Sequence, residues 1–223
     1  MKFIWKRASS NEFQIFYRKN YLLSNRTIIV WDEISKRYHF WSLSNRWFYF
    51  LTGLEIKRKV HDAEYILDIG SGPGIFAEEL AILFPKSKIV CLDSSPKMCR
   101  LSKGIIGKAS YLPFKEDTFD VVTFCFSLHE LEIDPALEEA NRVLRRSGVI
   151  YIVDLNRDAP QILKRASKLI LEKIMGKEYA EHLEKTWQKF KSCEEIAENL
   201  KRKGFEVEYR KGLQEIRIIA KKL

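Results

Sequence analysis

Residues 66–80 read Ile66-Leu-Asp-Ile-Gly-Ser-Gly-Pro-Gly-Ile-Phe-Ala-Glu-Glu-Leu80, and an acid, Asp93, follows the glycines by about twenty residues. An apolar strand therefore runs into a Gly-x-Gly-x-Gly turn, and a helix opens directly after the turn. Because glycine lacks a β-carbon, the backbone can turn tightly there and its amides can approach a ligand. This layout is typical of a site for an adenosine-containing cofactor at the carboxyl edge of a parallel sheet.

The spacing of the glycines distinguishes two kinds of cofactor. In a dinucleotide-binding turn the third glycine comes three residues after the second, and Ile75 holds that position here. A tight turn that contains Ser71 and Pro73 suits the amino-acid half of S-adenosylmethionine better than a pyrophosphate. Asp93 ends the next predicted strand, where its two carboxylate oxygens can accept both ribose hydroxyls.

Length and composition indicate a soluble globular chain. It has 223 residues, of which 46% are hydrophobic and 31% charged, enough to bury a full core. We find no run of about 18 uncharged apolar residues and no signal-peptide core at the N-terminus. The four cysteines show no metal-ligand spacing, so we expect no metal and a reducing, cytoplasmic environment.

The net charge of +9 is unevenly spread along the chain. Residues 1–63 hold 12 Lys or Arg against 5 Asp or Glu, and residues 155–223 hold 17 against 11. Residues 64–154, which carry the glycine turn, hold 10 against 14. Basic flanks favour an anionic partner, either a membrane surface or RNA, although a Lys/Glu-rich solvated surface explains the same composition.

The hydrophobic pattern divides the chain at about residue 63. Residues 1–63 predict an N-terminal helical cap of two or three helices, rich in aromatic side chains. Residues 64–223 predict a domain of alternating strands and helices, with a helical insertion at about 159–190. The strands are expected at 65–69, 88–93, 104–109, 119–126, 149–154, 205–209 and 215–220. The helices are expected at 75–84, from Pro96, at 135–146 ended by Gly148, and at 194–203 ended by Gly204.

Five motifs together resemble the class I S-adenosylmethionine-dependent methyltransferases, and the match covers about residues 64–220. They are Leu67-Asp-Ile-Gly-Ser-Gly-Pro-Gly74, Val90-Cys-Leu-Asp-Ser-Ser-Pro-Lys-Met98, Leu112-Pro-Phe-Lys-Glu-Asp-Thr-Phe-Asp-Val-Val122, Ser127-Leu-His-Glu-Leu131 and Val143-Leu-Arg-Arg-Ser-Gly-Val-Ile150. The resemblance implies an α/β, Rossmann-like seven-stranded sheet in the order 3-2-1-4-5-7-6, with the last strand antiparallel and helices on both faces. The chain looks most like the small-molecule branch that includes ubiquinone/menaquinone C-methyltransferases, whose first helix is similar to Trp31-Asp-Glu-Ile-Ser-Lys-Arg-Tyr38.

The resemblance also implies a cofactor site for S-adenosyl-L-methionine, with S-adenosyl-L-homocysteine as product. Asp68 would face the cofactor's ammonium, and Ser94 and Met98 would line the adenine. The family usually places an acid after strand three, but this chain has Lys108 there, so Ala109 and Ser110 would have to suffice. The predicted cofactor-binding residues are Asp68, Gly70, Ser71, Gly72, Pro73, Gly74, Asp93, Ser94, Met98, Ala109, Ser110 and Phe126.

The segment after strand four bears on the acceptor. Phe126-Ser-Leu-His129 lacks the Asn/Asp-Pro-Pro-aromatic motif of enzymes that methylate nucleic-acid amines, and Cys125 lies inside the strand, unlike the nucleophile of pyrimidine C5 enzymes. His129 is the candidate catalytic residue, as a general base on an acidic carbon or hydroxyl. Transfer from a sulfonium can also proceed by alignment alone, with no base.

These observations favour a methyltransferase that acts on a small-molecule acceptor of the quinone or lipid type. Trp31, Tyr38 and Ser127 are the predicted acceptor-pocket residues, and further aromatics at Trp41, Trp47 and Trp187 belong to the segments expected to cover the pocket. The alternatives are an RNA methyltransferase that grips phosphates with its basic flanks, and a non-catalytic cofactor-binding or interaction module. The protein is expected in the cytoplasm, free or peripheral to a membrane. The sequence predicts no oligomeric state.

Overall fold

The computed structural model describes residues 26–223; the predicted helical content of residues 1–25 lies outside the described residues. The strands are β1 (Tyr65–Ile69), β2 (Lys88–Asp93), β3 (Ile105–Ile106), β4 (Phe119–Cys125), β5 (Leu144–Leu155), β6 (Phe205–Lys211) and β7 (Glu215–Lys222). The helices are α1 (Arg26–Ser44), α2 (Arg46–Lys59), α3 (Ile75–Leu83), α4 (Pro96–Ser102), α5 (Ile133–Val143), α6 (Gln161–Met175), α7 (Lys177–Lys189) and α8 (Cys193–Arg202).

The seven strands form one sheet in the order β3-β2-β1-β4-β5-β7-β6, which confirms the predicted topology. The strands from β3 to β5 are parallel, and β7 runs antiparallel to both β5 and β6. Side chains of a strand point alternately to the two faces, so each buried strand contributes to two cores. In β1, Leu67 packs in the larger cluster with α1, α5, α7 and α8, while Ile66 packs in the smaller cluster with α2 and α3.

The boundary between α5 and β5 differs from the prediction. The predicted helix at 135–146 ends at Val143, and β5 begins at Leu144, five residues before the expected start. Leu144 already pairs with Phe119, so the chain is extended there. Gly148 therefore does not end a helix. It lies in a β-bulge next to Ser147, whose φ is +60°, and a Cβ at Gly148 would lie 2.8 Å from Leu144 Cγ.

Two strands that end near the expected site, β3 and β4, are also shorter than predicted. β3 spans two residues, because the chain turns after Ile106 and Lys108 forms an antiparallel bridge with Tyr111. β4 stops at Cys125, because Phe126 adopts a left-handed backbone with a φ of +50°. Both changes place loops instead of strand at the carboxyl edge of the sheet, where side chains are free to form a site.

The predicted insertion consists of two helices, α6 and α7, which are separated at Gly176, where φ is +103°. No helix in the described part of the chain is long and apolar enough to cross a membrane. The predicted division of the chain at residue 63 stays a prediction; α1 and α2 precede it and pack on opposite faces of the sheet.

Candidate functional site

The glycine turn connects β1 to α3 and lies against the loop that follows β4. Gly70 and Gly72 have φ values of +68° and +52°, which residues with a side chain rarely adopt. A Cβ on Gly70 would lie 2.4 Å from the Ser127 Cβ, and the Ser127 hydroxyl donates to the Ile69 carbonyl over 2.7 Å. The turn and this loop are therefore held together at the carboxyl edge of the sheet.

Asp93 is oriented by two backbone amides before any ligand is considered. Its Oδ2 accepts from the Gly72 amide and its Oδ1 from the Ser95 amide, each over 2.8 Å. Burial raises the pKa of Asp93 to about 6, against the lowering effect of these amides. Each carboxylate oxygen keeps a second acceptor site, so the side chain can still bind a pair of hydroxyls.

Asp68 is buried near the end of β1, and only one of its two carboxylate oxygens has a hydrogen-bond partner. Its Oδ1 accepts from the Thr123 hydroxyl over 2.7 Å, while Oδ2 is buried and has no hydrogen-bond partner. Burial raises the pKa of Asp68 to about 7. Such an orphaned carboxylate oxygen beside Gly70 and Gly72 fits a cationic group such as the ammonium of S-adenosylmethionine.

The predicted cofactor residues fall into three groups in space. Gly70, Gly72, Asp93, Ser94, Met98, Ala109 and Phe126 line one cleft, which Trp31, Tyr38 and Ser127 also line. Asp68, Ser71 and Pro73 line a smaller cavity that adjoins it, next to Gly70, Gly72 and Tyr38. Gly74 and Ser110 line neither cavity: a Cβ on Gly74 would meet the Ser102 Cβ at 2.8 Å, so this glycine serves helix packing.

The side of the cleft formed by Leu92, Met98, Gly107 and Ala109 is apolar and suits a flat base. Lys108 bridges to Tyr111 within the β3 loop and does not line the cleft. The base would therefore meet backbone and apolar side chains at the position where the family usually supplies an acid.

Helix α1 covers the glycine turn, a contact that the sequence did not reveal. Its Asp32 accepts hydrogen bonds from the Ser95 hydroxyl and from the Lys97 amide, both at the start of α4. Tyr38, about one and a half helical turns after Asp32 in α1, lies over Gly72. Its Cε1 atom is 3.7 Å from the position that a Cβ on Gly72 would occupy. With α1 in place, the cleft has a volume of only about 80 Å³.

A second, larger cavity of about 520 Å³ lies on the other side of α1. All five aromatic side chains that were predicted to cover the sheet edge line it, namely Trp31, Tyr38, Trp41, Trp47 and Trp187. Leu171, Tyr179 and Leu183 complete much of its apolar wall. Trp31, Tyr38 and Phe126 line both this cavity and the cofactor cleft, so the two spaces share a wall.

His129 also lines the larger cavity, where two carboxylates hold it. Its Nδ1–H donates to Asp154 Oδ1 over 2.6 Å, and its Nε2 lies 3.5 Å from Glu130 Oε1. Burial alone would lower the pKa of His129, but the charge of Asp154 together with Glu130 raises it to about 10. The raised pKa favours the imidazolium form at neutral pH, in which neither ring nitrogen can accept a proton.

Glu130 connects this network to the cofactor cleft, which it lines. Its Oε2 lies 2.7 Å from Nε2 of His182, and this contact together with the nearby imidazole of His129 outweighs burial and lowers the pKa of Glu130. Glu130 is not among the predicted site residues, although it lies in the Ser127–Leu131 motif. Within residues 26–223, no group of three or more His, Cys, Asp or Glu side chains is arranged to hold a metal ion.

Comparison with known proteins agrees with this geometry. A family model described as a methyltransferase domain matches residues 67–152. An uncharacterized protein of Methanocaldococcus jannaschii is 31% identical over 175 residues, which cover 70% of this chain and 67% of that protein. A demethylmenaquinone methyltransferase of Thermotoga maritima is 29% identical over 216 residues, or 81% of this chain and 88% of the relative.

A solved structure shares the fold. The crystal structure of an S-adenosylmethionine-dependent methyltransferase from Thermotoga maritima aligns with a TM-score of 0.60 at 22% identity and covers 87% of this chain and 99% of that one. At this identity the similarity supports the fold alone.

Proposed function

Because the chain belongs to the class I S-adenosylmethionine-dependent methyltransferases, we propose that it methylates a small, largely apolar acceptor of the quinone or lipid type. The main support is that Trp31, Tyr38 and Phe126 line both the cofactor cleft and an aromatic cavity of about 520 Å³, so that the two spaces adjoin. A cavity of this size and polarity fits a drug-sized apolar molecule. The demethylmenaquinone methyltransferase relative points to the same class of acceptor.

The chain's own carboxylates would hold the two ends of the cofactor's polar part. Asp68 Oδ2 would accept from the ammonium, and Asp93 would accept from the ribose hydroxyls while Gly72 and Ser95 fix its orientation. When bound, S-adenosylmethionine supplies an electrophilic methyl group on a sulfonium. The predicted roles of Ser71, Pro73, Ser94, Met98 and Ala109 as further contacts remain part of this proposal.

The residues of the shared wall would align the acceptor and exclude water. Trp31 and Tyr38 stack edge-to-face with ring centroids 5.1 Å apart, and Phe126 is held by Phe48 at 5.6 Å. Such packed rings keep a reacting pair dry and in register, which is where most of the rate enhancement of a methyl transfer can come from. Asn45, Ser167 and Gln214 line the cavity and offer polar contacts to an acceptor oxygen.

The role of His129 as a general base stays a prediction, and its surroundings favour a different task. A histidine that Asp154 and Glu130 keep protonated can orient Glu130 at the cofactor cleft and balance its charge. We therefore propose that His129 is a positioning residue, that an ionised hydroxyl of the acceptor supplies the electron pair for the methyl group, and that the proton of this hydroxyl is lost to water.

The test is the transfer of a labelled methyl group from S-adenosylmethionine to a panel of apolar hydroquinones and phenols, beginning with a demethylated naphthoquinol, and to RNA. The proposal predicts label in the organic extract with the wild type, and much less label with Asp93→Asn at a cofactor concentration near the wild-type Kd. Label in RNA alone would replace the proposal by the RNA alternative. No labelled product from protein that binds the cofactor would exclude this acceptor class.

A further inference from the structure

Helix α6 exposes apolar side chains where a surface helix normally shows polar ones. Ile162, Leu169, Ile170 and Ile174 are between 40% and 76% exposed. At 3.6 residues per turn these positions lie on neighbouring rows of the helix, so they form one continuous stripe. Isolated apolar residues on a surface need no explanation, but a contiguous stripe marks a site of interaction.

The stripe is continuous with the opening of the aromatic cavity. Ile170 and Ile174 lie three positions beyond Ser167 and Leu171, which line the cavity, so they share a side of the helix with it. Across the cavity, Trp47 and Leu51 line it and are themselves more than half exposed. We call the five exposed residues Trp47, Leu51, Ile170, Ile174 and Leu213 the rim; Leu213 precedes the cavity-lining Gln214.

The charge beside the stripe is positive. Helix α6 carries four basic residues and one acidic residue, Glu172. Lys164 donates to the Arg157 carbonyl, and Lys168 forms an ion pair with Glu184, but Arg165 and Lys173 are exposed without an ion pair among residues 26–223. Their positions flank Ile162, Leu169 and Ile170, so cations and apolar side chains alternate on the same face.

We propose that the rim and the exposed face of α6 dock on an anionic lipid bilayer, with the cavity opening toward the acyl chains. A helix with apolar side chains flanked by Lys and Arg is suited to the interface between headgroups and acyl chains. Each nearby cation also gains from the negative surface potential of anionic lipids. The inference deepens the proposed function, on which it rests: an apolar acceptor dissolved in the bilayer would reach the cavity without crossing water.

The test is sedimentation of the full chain with vesicles of phosphatidylcholine, with and without phosphatidylglycerol. We expect the wild type to bind the anionic vesicles, and Ile170→Glu to weaken binding by at least about tenfold, because it removes apolar burial and adds repulsion. Lys173→Gln should weaken it by about fivefold. The matched control is Ile82→Glu on α3, since Ile82 is 60% exposed, Ile170 is 57% exposed, and Ile82 lines neither cavity.

The docking proposal would be overturned by no sedimentation of the wild type, by equal loss in Ile170→Glu and Ile82→Glu, or by self-association of the wild type that Ile170→Glu abolishes without any vesicle binding. The last would assign the face to a second copy of the chain. Tight RNA binding with no vesicle binding would also overturn it. Vesicle binding is measured without cofactor or acceptor, so its failure leaves the proposed function intact, and inactivity of a vesicle-bound protein points to the proposed function instead.

Discussion

Asp93 and Asp68 lie at the ends of neighbouring strands and differ in how far the protein satisfies them. Asp93 accepts two backbone amides, whereas Asp68 leaves one buried oxygen without a partner. Both carboxyl groups have raised pKa values because burial disfavours their charged forms. The protein therefore holds two buried carboxyl groups whose charged forms are disfavoured, and a ligand with hydroxyls and a cationic group would stabilise the charged form of both.

Replacing Asp93 by Asn tests the first of these positions. The amide can accept at one oxygen only, so one charge-assisted hydrogen bond to a ribose hydroxyl is lost, and we expect the Kd for S-adenosylhomocysteine to rise by about tenfold to a hundredfold. Isothermal titration measures it. Asp62→Asn, at an exposed position outside the cleft, is the control and should leave the Kd unchanged. Equal affinity in Asp93→Asn and wild type would remove Asp93 from the cofactor site.

Replacing His129 by Gln separates a base from a positioning residue. Because the pKa of His129 is raised to about 10, a positioning role predicts that the variant loses activity by a similar factor across the neutral range. A general base with a pKa near neutrality would instead give the wild type an ascending limb between about pH 6 and 8 that the variant lacks. The pH profiles of kcat for both proteins decide between the two, and that limb would contradict the present assignment.

At the scale of elements, α1 is the part of the site that most needs a test. It places Trp31 and Tyr38 against the cleft and is fastened to the start of α4 through Asp32. The cleft beside Trp31 and Tyr38 has a free volume of only about 80 Å³, so we expect cofactor binding to change the packing of α1 against the cleft. Hydrogen exchange over residues 27–41 should therefore change on cofactor binding, while exchange in α8, far from the cleft, should not.

Asp32→Ala provides the matching variant. Loss of the two hydrogen bonds to α4 should raise the cofactor Kd by roughly fivefold to twentyfold through faster dissociation, since a wall of the cleft is held less firmly. Stopped-flow measurement of the dissociation rate gives this number. Ser192→Ala removes the capping box of α8 at a cost of about 1 kcal/mol in the free energy of unfolding, and it controls for a general loss of stability. Equal dissociation rates in Asp32→Ala and wild type would mean that α1 does not close the cleft.

The elements also show how far the sequence predicts this molecule. The strand order was implied by the family resemblance, which could be recognised because the glycine turn and the acid at Asp93 are local patterns with a strict backbone requirement. The predicted start of β5 was wrong because a glycine such as Gly148 is equally compatible with the end of a helix and with a β-bulge. Only the pairing of Leu144 with Phe119, which the sequence does not reveal, decides between the two.

The sequence also predicted part of the candidate site, namely the residues that belong to recognisable motifs. Asp68, Gly72 and Asp93 lie where their motifs imply, at the ends of adjacent strands. Asp32 and Glu130 could not be predicted as site residues from the sequence. Asp32 contacts Ser95 at the start of α4, and Glu130 contacts His182 of α7, and both partners are distant in sequence. The aromatics of α1 and α7 were recognised as a group, but only packing shows that Trp31 and Tyr38 face both cavities.

At the scale of the whole molecule, the raised pKa values connect cofactor binding to stability. Asp68 and Asp93 have pKa values of about 7 and about 6, above their ordinary values, so the folded protein binds more protons than the unfolded chain in this range. The contribution of these two groups to stability is therefore largest at low pH and falls as pH rises through about 4 to 7. His129 adds a slope of the same sign above its ordinary pKa, because its folded-state value is also raised.

The prediction is that cofactor-free protein loses thermal stability between about pH 5 and 8, and that Asp68→Asn flattens part of this slope. The cofactor's cationic groups favour the ionised carboxylates, so the rise in Tm on adding S-adenosylmethionine should grow over the same interval. Thermal unfolding at four pH values, with and without cofactor, measures both effects. A rise in Tm that is independent of pH would contradict the placement of the ammonium at Asp68.

In the proposed function the acceptor occupies the aromatic cavity and contacts the cofactor where Trp31, Tyr38 and Phe126 line both spaces. The most direct test is the KM for the best apolar acceptor in Leu171→Gln, measured together with the Kd for S-adenosylhomocysteine. Leu171 lines the aromatic cavity but not the cofactor cleft, and a glutamine of similar size leaves an unpaired amide in the apolar wall. For Leu171→Gln we expect the KM for the acceptor to rise by at least about tenfold and the Kd for S-adenosylhomocysteine to stay unchanged. An unchanged KM, in a variant that binds the cofactor normally, would place the acceptor elsewhere and contradict the account.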